Sequence, residues 1–201
     1  WMLPDDGPSG TVTVAQLTVD DGSSGSVSMS AQGRAVAGED WQSYHTWSYP
    51  GSSSPPSPPP PIDFNAGGSD EVVVAMDSSV ADYTTYRLQL QLSDAEANIY
   101  SIYGSPTTGT MSIPAAYQVA APFGADVGGV NPAFFPVNAG AEFDSWLTVG
   151  VEDGSAGSAI GSVGIDFSSW TVDTGLEVSD GAIFWMLPDD GPSGTVTVAQ
   201  L

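Results

Sequence analysis

The 201-residue chain offers little with which to do chemistry: 24 acidic side chains, one histidine, two arginines and no cysteine. The missing thiol excludes thiolate metal sites, iron–sulfur clusters, disulfides and cysteine nucleophiles. Acidic pairs recur before glycine, in Asp5-Asp6-Gly7, Asp20-Asp21-Gly22, Glu152-Asp153-Gly154 and Asp189-Asp190-Gly191. A hard cation such as Ca²⁺ wants several oxygen ligands, so Asp5, Asp6, Asp20, Asp21, Glu152, Asp153, Asp189 and Asp190 are the candidate metal ligands. None follows the spaced acidic pattern of a calcium loop, and hairpin turns on a solvated surface explain any one of them better. No cofactor is required. Ca²⁺ is the one the composition favours, because cations relieve the self-repulsion of a net charge of -22.

Two further constellations are weaker. Glu142 and Asp144 flank Phe143 and form the least turn-like carboxylate pair, which glycoside hydrolysis would need. Read as the start of a strand, both would sit on its wet face. His45 is the single imidazole, so serine-protease-like chemistry would have to use it. No Gly-x-Ser-x-Gly or other nucleophile motif accompanies it, and a histidine at a surface or strand edge is the plainer expectation. The chain is therefore expected not to be an enzyme. Nucleic acid is excluded as a partner, because only Arg34 and Arg87 could neutralise phosphates. No apolar run reaches the roughly 18 residues of a membrane-spanning helix.

The elements that would position these residues are strands. Alternation is clearest in Thr84–Leu92, where Tyr86, Leu88, Leu90 and Leu92 face one way and Arg87, Gln89 and Gln91 the other. Thr11–Val19, Ser26–Ala31, Tyr44–Tyr49, Asn98–Tyr103, Ser145–Val151, Ile160–Phe167 and Ala182–Leu187 also read as strands. Glu71–Met76 is nearly continuous in apolar residues, the pattern of a strand buried on both faces. Asp-Gly pairs supply the positive φ that tight hairpins require. Only Ala115–Ala121 could form a short helical turn, and Pro114 and Pro122 bracket it. Apolar residues make up 41% of the chain, enough for a core. The predicted fold class is all-β, an antiparallel sandwich of immunoglobulin-like or jelly-roll-like kind.

The two ends carry one sequence. Trp1–Leu17 reads WMLPDDGPSGTVTVAQL, and Trp185–Leu201 repeats it without a mismatch, at an offset of 184 residues. Such self-similarity marks a repeat architecture. Since two identical segments cannot fill one slot, the expected division is residues 1–49 as the last strands of one sandwich, 50–62 as a linker, and 63–201 as the main sandwich. Its missing strands would then come from a neighbouring repeat or subunit. Head-to-tail contacts that do not close generate filaments. Trp1, Met2, Leu3, Trp47, Tyr49, Trp185, Met186 and Leu187 are the candidate assembly contacts, with the core as the alternative place for Trp47 and Tyr49. Exposed rings in the Trp41–Tyr49 cluster would also suit a sugar-binding face.

Gly51–Pro61 reads GSSSPPSPPPP and cannot join a sheet. As a polyproline II rod, Ser52–Pro61 would span roughly 30 Å, a spacer between domains. Its composition is that of an O-glycosylated stalk. Ser52, Ser53, Ser54, Pro55, Pro56, Ser57, Pro58, Pro59, Pro60 and Pro61 are the glycosylation candidates. Ser57–Pro61 resembles the extensin motif of plant and green-algal wall glycoproteins, which implies hydroxylated, arabinosylated prolines and galactosylated serine.

Asp126–Leu147 (DVGGVNPAFFPVNAGAEFDSWL), Gly164–Trp170 (GIDFSSW) and Gly181–Gly191 resemble uncharacterised secreted tandem-repeat β-sandwich proteins of aquatic microalgae. Surface glycofibrils and mastigoneme-like fibres are the nearest analogy. The resemblance implies an extracellular, cell-surface location and identical subunits or repeats as partners, the extensin-like segment adds covalent glycans, and neither brings catalytic residues to this chain. The expected function is a structural subunit of a glycoprotein filament. The alternative is a Ca²⁺-stabilised or carbohydrate-binding repeat of a large adhesin, with a glycoside hydrolase in third place.

Overall fold

The computed structural model describes residues 7–49, 69–76, 80–154 and 159–186. The predicted class holds: the described residues form two mostly antiparallel sheets, face to face, around one apolar core. In chain order the strands are β1 (Thr11–Asp20), β2 (Gly25–Arg34), β3 (Asp40–Tyr49), β4 (Asp70–Met76), β5 (Tyr83–Gln91), β6 (Ser101–Gly104), β7 (Met111–Ile113), β8 (Trp146–Leu147), β9 (Ile160–Val163), β10 (Leu176–Val178) and β11 (Gly181–Trp185). One sheet runs β4-β5-β1-β8. In the other, β2 pairs with β3 on one side and with both β6 and β7 on the other. From there β6 leads to β11 and β9, and β7 leads to β10.

β1 sits at the centre of its sheet, between β5 and β8. Its apolar residues Val12, Val14, Leu17 and Val19 are buried, and so are its polar residues Thr13, Gln16 and Thr18. The outward face is covered by the segment before β8. Gln16 Nε2 donates to the carbonyls of Glu142 (3.1 Å) and Asp144 (2.5 Å), and Thr18 Oγ1 donates to the carbonyl of Phe143 (2.6 Å). Buried polar groups persist where such partners exist. β5 keeps the predicted alternation, with Tyr86, Leu88 and Leu90 buried.

Other expectations need correction. Among the described residues β4 is an edge strand that pairs only with β5, and Val74 is 40% exposed, so its apolar run is not buried on both faces. Ala115–Ala121 forms no helix. Among the described residues the helical turns are 3-10 segments at Pro132–Phe134, Ala139–Phe143 and Phe167–Ser169, each started by an Asn or Asp side chain that accepts from a backbone N–H.

The largest correction concerns the division of the chain. β1 and β2, both before the proline segment, pair with β5, β8, β6 and β7, all after it, while β3 pairs with β2. Residues on both sides of 50–68 thus build one sandwich, and the proline segment joins two edge strands of it. β3 and β4 run the same way. Tyr49 packs on Tyr86 (ring centroids 5.5 Å apart), and Ala75 is level with Tyr86 while Asp70 is level with Gln91. The end of β3 and the start of β4 therefore differ in height by about five strand residues, roughly 17 Å at ~3.4 Å each. A segment tied at both ends to one sandwich does not set the spacing between two. The glycosylation candidates within it lie outside the described residues.

Gly33 on β2 shows how tightly that strand packs against β3 and the segment before β6. A Cβ there would lie 1.9 Å from the Asn98 carbonyl oxygen and 2.6 Å from the Trp41 ring. Gly33→Ala is expected to lose about 1–3 kcal/mol, the range for overpacking, read as a lower denaturant midpoint at unchanged m.

Candidate functional site: the chain ends and the pole that gathers them

The copied sequence makes the ends of the sandwich the place to look for assembly. Residues 92–100 organise that pole. On one side, Ile99 N–H donates to the Pro8 carbonyl (2.8 Å) and Leu92 N–H to the Gly10 carbonyl (2.9 Å). On the other, Trp185 N–H donates to the Tyr100 carbonyl (3.0 Å). Gly7 passes so close that a Cβ would lie 2.1 Å from the Ile99 carbonyl oxygen, so the approach requires glycine. The first described residues and the last therefore meet on adjacent positions, Ile99 and Tyr100.

The pole is locked by polar contacts. Glu96, 7% exposed, accepts from Ser93 N–H (2.7 Å) and from Ser69 Oγ (2.9 Å to each oxygen). Asn98 Oδ1 accepts from Arg34 N–H at 2.9 Å, and the Asn98 carbonyl accepts from Trp41 Nε1 at 3.0 Å. Arg34 bonds the Gly38 carbonyl at 2.8 Å and pairs with Asp40 at 3.2 Å. Burial first, and the nearby Asp40 second, push the Tyr100 hydroxyl up to about 12. Val36, in the β2–β3 turn held to Ala95, is 68% exposed, and Met186 is 38% exposed.

The predicted contact residues divide. Trp185 is core, at 2% exposure, and its Nε1–H has no partner among the described residues. Met186 is exposed and bonds the Ala159 carbonyl through its backbone N–H. Trp47 and Tyr49 belong to the core alternative: they are 1% and 5% exposed, and Trp47 Nε1 donates to the Gln89 carbonyl at 2.8 Å. They fill the sandwich itself. Trp1, Met2, Leu3 and Leu187 lie outside the described residues. Sequence reasoning missed Ile99 and Tyr100 as the meeting point. Their apolar character reads as ordinary core.

The acidic turns among the described residues do not converge. Among the described residues no three His, Cys, Asp or Glu side chains gather where a metal could be held. Asp20 is exposed, and Asp21 accepts from Thr84 Oγ1 at 2.5 Å. Glu152 is taken by Arg87 at 2.5 Å, and Asp153 lies in an isolated bridge with Gly129. Asp5, Asp6, Asp189 and Asp190 lie outside the described residues. Glu142 and Asp144 do not share a wet face either. Glu142 is exposed on the 3-10 turn, whereas Asp144 is fully buried and accepts from Val119 and Ala125 N–H, both at 2.7 Å. A cavity of about 300 Å³ nearby is lined by Val127, Val130, Phe134, Val151 and Ile160 among others, with no titratable side chain. No helix among the described residues is long and apolar enough to cross a membrane.

No protein-family model, curated protein or solved structure matches this chain.

Proposed function

We propose that this chain is a repeating unit of a structural, extracellular glycoprotein filament, built from β-sandwiches joined head to tail. One observation carries the reading: the described residues of the sandwich begin at 7 and end at 186, nearly one full period of the 184-residue repeat. The unit that folds and the unit that repeats are the same size. The copy of Gly7 is Gly191, so in a covalent array only Leu187–Asp190 separate Met186 of one sandwich from the first buried segment of the next. Five residue steps reach at most roughly 18 Å. Successive sandwiches so joined have to touch, and the contact falls at the pole of Ile99 and Tyr100, where Val36 and Met186 are exposed. The covalent route is favoured over strand exchange, because β1–β3 already fill their slots from within the chain.

The serine–proline segment takes a different role from a spacer. Attached at β3 and β4, it would carry its O-glycans along the open edge of both sheets. Covering edge strands suppresses sheet-to-sheet aggregation, which a densely repeated β protein needs.

Electron microscopy of the purified source material tests the reading. Filaments with a regular subunit of one sandwich are expected, with pentose and hexose mass on peptides covering residues 52–61. Dispersed single sandwiches at all concentrations would overturn it. Filaments with bare prolines would overturn the glycoprotein part alone.

A further inference from the structure

A separate constellation sits on the inner face of edge strand β3. Ser43 and His45 are two residues apart, so their side chains share a face. Glu71 comes from β4, the edge strand of the opposite sheet. His45 Nε2 lies 2.5 Å from Ser43 Oγ, and His45 Nδ1 lies 2.8 Å from Glu71 Oε1. The imidazole is 4% exposed and Trp47 packs against it, ring centroids 5.7 Å apart. Ser43 is half-buried, and Glu71 opens to solvent. With its Nδ1–H donated to the carboxylate, the ring presents Nε2 as acceptor for the Ser43 hydroxyl. Nucleophile, base and orienting carboxylate thus follow one another in hydrogen-bond reach, on the only histidine of the chain.

We propose that Ser43 is an activated nucleophile that accepts acyl groups from activated esters, with His45 as general base and Glu71 as its positioning residue. Ser43 Oγ bonds to the acyl carbon as its proton passes to His45 Nε2. The ester C–O bond then breaks, and His45 returns the proton to the departing alcohol. Water, deprotonated by the same Nε2, releases the acyl group as a carboxylic acid and restores the Ser43 hydroxyl. Glu71 can stabilise the imidazolium formed in between. Burial alone would raise its carboxyl, but the hydrogen bond from His45, the ring's charge when protonated and backbone hydrogen bonds together hold it below its ordinary value. This inference does not depend on the filament reading.

The test uses the full chain with a fluorophosphonate probe, which leaves a phosphonyl group on the serine and expels fluoride, and with p-nitrophenyl acetate. Peptide mapping locates the adduct. One adduct at Ser43 is expected, absent from Ser43→Ala. His45→Gln should slow labelling by about 10²-fold or more, the range general-base catalysis supplies, and Glu71→Gln should slow it measurably while the fold, read by circular dichroism, is retained. Urea-unfolded wild type should label no faster than free serine. Labelling of folded Ser43 at the rate of the unfolded chain, or a rate that neither Glu71→Gln nor His45→Gln changes, would show a mere staple between β3 and β4 and overturn the proposal.

Discussion

Trp47→Ala is expected to destabilise the sandwich by about 3–5 kcal/mol, the range for emptying a large aromatic from a core. The indole is 1% exposed between the two sheets, and its Nε1–H satisfies the Gln89 carbonyl, which the substitution would orphan. That same ring packs on His45. The measurement is a denaturant midpoint on dispersed subunits, with sedimentation to follow association. Val163→Ala, at a side chain 59% exposed, should change the midpoint very little. A Trp47→Ala subunit of normal stability that no longer associated would return Trp47 to an assembly contact and contradict the packing described above.

Lowering the pH from 8 to 5 is expected to raise the melting temperature. Burial pushes the Asp144 carboxyl up to about 7, against the pull of the Val119 and Ala125 N–H groups and with a further push from Asp126. An unfolded aspartate titrates near 3.9. Between these values the folded chain holds a proton that the unfolded chain does not. This stabilisation is therefore complete below about pH 4 and is lost as the pH rises through about 7. Burial also displaces Asp126 and Glu152 upward, so both act in the same direction. Glu71 is displaced downward, and its contribution is lost only under more acid conditions, outside this window. Asp144→Ala should flatten the pH dependence. It should also cost more at pH 5 than at pH 8, because it orphans two buried N–H donors at about 1–3 kcal/mol each while removing a carboxyl whose ionised form is unfavourable there. A melting temperature that falls between pH 8 and pH 5, or a slope unchanged in Asp144→Ala, would refute the assignment.

Asp144 also shows where a sequence stops being readable. In AEFDSW it alternates with Glu142 about a phenylalanine, the pattern of two carboxylates on one wet strand face. The 3-10 turn Ala139–Phe143 breaks that period, and the two side chains part, one to solvent and one to the interior. Gln16 and Thr18 are polar and yet fully buried, because the segment that covers them lies more than 120 residues downstream.

What the chain determined locally was legible: the strands, from alternation such as that of Tyr86, Leu88 and Leu90, and the all-β class, from the scarcity of helix periods. The Asp-Gly pairs were a poorer guide to hairpins: Asp21-Gly22 turns between β1 and β2, which lie in different sheets, and Gly181 opens β11. The repeat too was plain, since it needs only letter-by-letter comparison. Which strands share a sheet was decided by tertiary structure alone. Backbone hydrogen bonding is nearly indifferent to side-chain identity, so nothing in the residues of β1 names β5 and β8 as its neighbours. That choice placed both sides of the proline segment in one sandwich, sent Trp47 to the core rather than to an interface, and brought His45 between a serine two residues away and a glutamate on another sheet.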